Sequence, residues 1–256
     1  MSTAPPLADL GVLPDRVAPT EPDRARRALA RDGAVVLTGL EPTADALVVA
    51  AASVLGAGLR ELYPQRVRRS QDGGPVQLHA DGLDFVVDIG GVPARRRHPD
   101  EDHVLVQSVV PAPSGGGSMV LDAYRFVDRL PAEDAELHEF LRTVDVDLYG
   151  AWAGLRGLPA VPRVARHIEF TRAGRRVVRC GEGATPLHRD PEGERTRVML
   201  ERFAARVRRS AEALPRFALA PGEILLLDNY RCWHGRDAHT GSRAVRIQTL
   251  RTAEAR

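Results

Sequence analysis

Apolar residues recur along this chain in two rhythms. A short apolar run between glycines occurs at Gly33–Gly39 (Gly-Ala-Val-Val-Leu-Thr-Gly), an apolar stretch at Val104–Val110, and strand-like stretches at Ile224–Asp228 and Ala244–Leu250. The first predicts a buried strand, and the others predict strands too. Shorter stretches at Val76–Leu78, Phe85–Ile89 and Met119–Leu121 predict further strands, and Arg163–Phe170 and Arg175–Cys180 flank the turn Arg172-Ala173-Gly174 as a pair. The helical rhythm holds over Glu21–Arg31, with Thr20 as N-cap and Pro22 in the first turn, and over Thr43–Leu55, which Gly56 closes. Tyr124–Val144 is also helical in pattern, and Pro131 predicts a break into two short helices. Glu194–Leu214 carries the strongest helical pattern, with Val198, Phe203, Val207 and Leu214 expected to face inward from a charged surface.

Between these elements the pattern lapses in two places. Met1–Pro19 is rich in Pro and Ala without periodicity and predicts a flexible or draped arm. Ala94–Asp102, where Arg95-Arg96-Arg97 precedes acidic residues, predicts a solvated loop, with a grip on an anionic substrate as the alternative use of its arginines. The turn-rich Pro111–Ser118 between two strand candidates argues for antiparallel pairing, and the whole reads as an α+β fold. No repeat or linker divides it, so residues 1–256 are expected to form one domain.

Composition narrows the partners. The chain has 36 basic and 34 acidic residues, a formal charge of +2, which offers no electrostatic footprint for nucleic acid and points to a small-molecule partner. Every basic residue is Arg; no function follows from that. No apolar stretch nears the roughly 20 residues that span a bilayer, and Met1–Asp15 lacks the order of a signal peptide, so a cytoplasmic protein without membrane contact is expected. The two cysteines, Cys180 and Cys232, are too few for a disulfide framework and read as reduced, buried thiols.

Chemistry enters with His79-Ala80-Asp81 and a distant His234. Residues i and i+2 of a strand point the same way, so His79 and Asp81 can reach one ion while Ala80 turns aside. Two imidazoles and a carboxylate are the set that holds non-haem Fe(II) on one face and leaves the other positions open. The span from His79 to His234 contains enough strand candidates for a double-stranded β-helix, a jelly roll whose mouth gathers ligands distant in sequence. A second H-x-D, His188-Arg189-Asp190, also precedes His234, but the helix at Glu194–Leu214 leaves too little chain for the intervening strands. Its neighbours Pro186 and Pro191 favour a turn over a strand.

Four segments stand in one order along the chain: Asp32–Gly39, Leu78-His-Ala-Asp-Gly82, Pro113-Ser-Gly-Gly-Gly-Ser118, and Pro221-Gly-Glu-Ile-Leu-Leu-Leu-Asp-Asn-Tyr-Arg-Cys-Trp-His-Gly-Arg236. In these the chain resembles the Fe(II)/2-oxoglutarate dioxygenases of the taurine dioxygenase and clavaminate synthase type. The resemblance implies a jelly-roll core with flanking helices and His79, Asp81 and His234 as iron ligands and catalytic centre. It implies 2-oxoglutarate as cosubstrate alongside O2, chelated through its C1 carboxylate and keto oxygen. Ser118 stands where the family places a hydroxyl for that cosubstrate, and an Arg past the second His pairs with its distal carboxylate. A guanidinium matches a carboxylate with two hydrogen bonds, which a Lys cannot.

Arg243 and Arg246 both meet that need, and Arg243, after Gly241-Ser242, is the better match. Three residues apart, they should point to opposite faces of a regular strand, so one of them reaches the pocket. Some members carry a second Arg four residues after the first; Ile247 occupies that place here. The carboxylate at Asp81, where related halogenases have a small residue, implies oxygenation and not chlorination.

The expected activity is hydroxylation of an unactivated C–H bond in a small amino-acid-like or natural-product substrate, free or tethered to a carrier, with release of succinate and CO2. Desaturation, epoxidation or cyclisation by the same chemistry is the alternative outcome, and a non-catalytic jelly-roll protein that binds a metal or small molecule is the alternative class. His98, His103, His138, His167 and His239 read as surface or capping residues. Trp152 reads as packing or as a cover for substrate, Asp228-Asn229 as the turn that presents His234, and Trp233 as pointing away from the metal.

Overall fold

The computed structural model describes residues 7–81, 84–89, 92–97, 101–152, 162–181 and 183–255. The apolar runs form the middle of a seven-stranded sheet. Its strands are β1 (Asp15–Val17), β2 (Ala34–Leu37), β3 (Leu59–Leu62), β4 (Arg66–Gln71), β8 (His103–Val110), β10 (Ile224–Asp228) and β12 (Ser242–Thr252), numbered among all the strands used below. The order is β1-β2-β10-β8-β12-β3, and β4 also pairs with β12. All pairings are antiparallel except β1 with β2. A smaller sheet has the order β9 (Ser118–Asp122), β11 (Cys232–Arg236), β5 (Val76–His79).

Alternation along these strands builds layers. On β2 and β10, Val35, Leu37, Ile224 and Leu226 pack with helices α1 (Pro22–Asp32) and α2 (Ala44–Leu55). Their neighbours Ala34, Val36, Leu225 and Leu227 turn the other way, toward Val120 of β9 and Cys232 of β11. The far face of the small sheet, through Leu78, Met119, Leu121 and Trp233, meets helices α3 (Ala123–Glu133), α4 (Ala135–Thr143) and α5 (Gly193–Ala213). A strand apolar on both sides is what this order of helix, sheet, sheet and helix demands. Trp233 lies fully buried against Phe126 and Phe203, away from the inter-sheet face, as alternation requires.

Several expectations are corrected. Of the flexible and draped alternatives for the N-terminal arm, the flexible one fails from Leu10 onward: Leu10, Val12 and Val17 are buried, and β1 joins the sheet. Helix α1 is capped at Glu21 instead of Thr20, with no side-chain bond. Pro131 sits inside α3, and the break falls at Asp134, whose carboxylate accepts from Leu137 N at 3.2 Å to start α4. Val198 is 53% exposed, because Met199, Leu200 and Phe203 fill the inward stripe of α5. The expected loop at Ala94–Asp102 is in part strand: β7 (Val92–Arg97) pairs with β6 (Asp84–Ile89) as a hairpin, and Glu101 and Asp102 are buried. His98, within that loop, and the side chain of Trp152 lie outside the described residues. His103, His167 and His239 are buried, not surface groups. Of the cysteines, Cys232 is buried and Cys180 only partly so.

Candidate metal centre and its cavity

β5 and β11 pair with His79 directly opposite His234, so the ladder itself brings together two residues far apart in sequence. The two rings lie 4.4 Å apart between centroids. Asp81, just past the end of β5, places Oδ2 3.4 Å from His234 Nε2. Ligand atoms of His79, Asp81 and His234 all fall within 4.8 Å of one another, the one such group among the described residues that could hold a metal ion.

Two local devices hold this geometry. The ladder between β11 and β5 slips just after His234, at Gly235, where an added Cβ would come 2.6 Å from the Val76 carbonyl oxygen. Only glycine allows the two backbones to approach so closely. Asn229, buried in the turn between β10 and β11, clamps the backbone of Asp81 from both sides: Asp81 N–H donates to Asn229 Oδ1 at 3.0 Å, and Asn229 Nδ2 donates to Asp81 O at 2.8 Å. The same Nδ2 donates to Glu101 O at 2.8 Å. The turn before His234 therefore fixes the carboxylate as well as the histidine.

Protonation states suit a cation. His79 Nδ1 lies 2.9 Å from Gln77 O; as a donor there, it leaves the Nε2 lone pair for a ligand. Burial, then the adjacent His234, lowers the His79 pKa. Burial alone would raise the Asp81 carboxyl, but His234, His79 and Arg66 outweigh it and hold it well below the usual carboxylate range. Among the described residues Asp81 Oδ2 and His234 Nδ1 are buried without a hydrogen bond. Buried polar atoms left so are costly and mark a missing partner.

The three residues open on a cavity of about 800 Å³ between the sheets. Ser118 lines it from the start of β9, and Arg243, Val245 and Ile247 line it from β12. Arg243 has no hydrogen bond or ion pair among the described residues, and burial, then the like charge of Arg236, lowers its pKa. Arg246, expected as an alternative carboxylate partner, is turned to the opposite face, where it donates to Pro42 O at 3.0 Å and Gln107 Oε1 at 2.9 Å. Strand alternation separates the two arginines, and of the pair only Arg243 lines the cavity.

The turn before Ser118 is also built on close approach. Gly115 has φ +74° and lies where a Cβ would be 2.4 Å from Ala238 O. His239 packs beside this turn, with Nε2 2.9 Å from Ser70 Oγ.

Sequence reading missed β4 altogether. Arg-Val-Arg-Arg-Ser-Gln has no apolar period, yet Arg66, Arg68, Arg69 and Ser70 line the cavity. The available signal was the strand-like alternation of Arg66, Arg68 and Ser70, which charge concealed. The second H-x-D lies on a different cavity, beside Glu136 and Glu139. There Asp190 accepts from Glu192 N and Thr196 Oγ1, each at 2.9 Å, and so serves the start of α5.

Comparison with known proteins identifies a family and a fold. The family model "Taurine catabolism dioxygenase TauD, TfdA family" matches residues 8–251. No curated protein sequence matches. Among solved structures, a taurine dioxygenase from Burkholderia xenovorans is similar at 17% identity and TM-score 0.58, covering 91% of this chain and 82% of that one. Asparagine oxygenase in complex with Fe(II), 2S,3S-3-hydroxyasparagine and succinate is similar at 16% identity and TM-score 0.57, covering 91% and 78%. AAD-2 in complex with Mn(II) and N-oxalylglycine is similar at 15% and 0.58, covering 99% and 93%. At these identities the likeness is one of fold.

Proposed function

The chain belongs to the taurine catabolism dioxygenase TauD/TfdA family, and from that premise we propose that it is an Fe(II)- and 2-oxoglutarate-dependent oxygenase that hydroxylates a small acidic or amino-acid-like molecule. The observation that carries this reading is the convergence of His79, Asp81 and His234 on one point at the wall of an arginine-lined cavity. Two imidazole nitrogens and a carboxylate, with buried atoms awaiting a partner, fit a non-haem iron and leave room for other ligands. Iron bound there would supply oxygen activation coupled to oxidative decarboxylation of the 2-oxo acid.

The protein's own part is to bind, orient and exclude. Arg243 and Ser118 take the distal carboxylate of 2-oxoglutarate, since Arg243 is the unpaired guanidinium that β12 turns into the cavity. Asn229 and Gly235 keep the three ligands in register. The facing sheets support a double-stranded β-helix as the finer description of the core, within one domain.

A cavity of about 800 Å³ has room for a dicarboxylate and a small second molecule. Among the described residues its walls carry Arg66, Arg68, Arg69, Arg236 and Arg243 against the carboxylate of Asp81, an excess of positive charge that favours an acidic substrate. Asparagine oxygenase, one of the similar structures, holds a hydroxylated amino acid and succinate. The test is succinate formation from 2-oxoglutarate with Fe(II) and O2 over a panel of amino acids and other small acids. Iron binding without turnover, either uncoupled or stimulated by any panel member, would instead favour a binding protein.

A further inference from the structure

Arg66 stands against the proposed metal centre, its Nη2 3.8 Å from Asp81 Oδ1. β4 pairs with β12 so that Arg66 stands opposite Ile247, Arg68 opposite Val245 and Ser70 opposite Arg243. Residues directly opposite across a ladder share a face. Arg66 and Arg68 therefore enter the cavity beside the side chains that β12 turns into it. At Ile247 β12 presents no donor of its own, and the neighbouring strand supplies a guanidinium at the same level.

The state of that guanidinium asks for a ligand. Among the described residues its Nε and Nη2, shut off from solvent, donate to nothing, and the 3.8 Å from Nη2 to Asp81 Oδ1 is beyond hydrogen-bond length. Leaving charged donors buried and unused is expensive, so an acceptor belongs between Arg66 and the metal centre. Charge gives the same answer. A dication held by Asp81 leaves Arg66 facing net positive charge unless another anion arrives beside it.

Resting on the proposed cosubstrate, we propose that Arg66 binds the metal-end C1 carboxylate of 2-oxoglutarate, while Arg243 holds the distal carboxylate. The two arginines sit at ladder levels four residues apart, about 13 Å at the backbone, so their long side chains can bracket a dicarboxylate lying along the strands. Arg68, between them and exposed, is left for the substrate.

The experiment is anaerobic titration of 2-oxoglutarate into the Fe(II)-loaded full chain, read by the visible absorption of the iron–2-oxo acid chelate and by calorimetry. R66L should weaken binding about tenfold or more, with R66K between it and the native protein, since lysine keeps the charge but loses the fork. The same titration with 2-oxovalerate, which has no distal carboxylate, separates the two ends. The R66L penalty should persist there, and the R243L penalty should disappear. Native-like affinity in R66L overturns the proposal, as does a penalty confined to 2-oxoglutarate, which would move Arg66 to the far end. Circular dichroism and Mn(II) affinity report whether R66L keeps its fold. If it does not, R66K decides, supporting the assignment by weaker binding of both acids and overturning it by unchanged binding. A native protein that binds iron but neither acid would sink the proposed function itself, a result distinct from native-like R66L.

Discussion

Asn229 joins the two halves of the proposed metal centre, and replacing it should reveal the join. Its side chain accepts from Asp81 N–H and donates to the carbonyls of Asp81 and Glu101, all inside a site where the residue is only 5% exposed. N229A removes three bonds and leaves one backbone donor and two acceptors without partners. At about 1 kcal/mol per bond, the expected loss of stability is about 3 kcal/mol. N229D should be at least as damaging, because a carboxylate oxygen would replace the nitrogen that lies 2.8 Å from both carbonyl oxygens. Freed from its clamp, Asp81 should also hold metal less well, by about 10- to 100-fold, as for other groups that orient a ligand. Urea unfolding of the metal-free protein and anaerobic Fe(II) titration measure the two effects separately. If N229A loses stability yet binds iron with native affinity, Asn229 is only a pin for the fold and the reasoning fails.

H79A and D81A should abolish tight Fe(II) binding, measured by calorimetry, while H188A should leave it unchanged, because His188 lies on another cavity. Equal losses from H79A and H188A would reverse the choice of motif. G235A places a methyl 2.6 Å from Val76 O and must push β5 from β11, so both metal affinity and thermal stability should fall. A native melting temperature in G235A would show that the ladder can yield at no cost.

Burial of His167, against one bond to the Arg179 carbonyl, lowers its pKa to about 4. The unfolded chain then binds the proton more tightly than the folded one. This leaves stability untouched above pH 6.5 and lowers it by about 3 kcal/mol as pH falls from 6.5 toward 4. Urea midpoints across that window should decline less steeply in H167F, and identical slopes would refute the assignment.

The elements legible in sequence were those whose chemistry is repetitive. Ile224–Asp228 and Ala34–Leu37 are apolar on both faces because a helix layer covers one side and a sheet the other, so composition alone marks them as buried strands. β4 was missed for the converse reason. Its inward side chains are arginines that serve a cavity, and the hydrophobic pattern cannot report a strand whose inner face is charged. Pro131 misled as a helix break because propensity is a local rule, whereas the Asp134 cap and the packing of Leu130 and Leu137 fix where α3 ends and α4 begins.

By itself the sequence determined which side chains are available, that His79 and Asp81 stand two residues apart, and, through alternation, that Arg243 and Arg246 diverge. Only the tertiary structure decided which partners meet. The pairing of β5 with β11 sets His79 against His234, the turn at Asn229 holds Asp81, and the pairing of β4 with β12 delivers Arg66 beside an apolar Ile247. The physical reason is that alternation is a property of one strand, whereas register belongs to two strands far apart in the chain and is settled only when their buried faces pack.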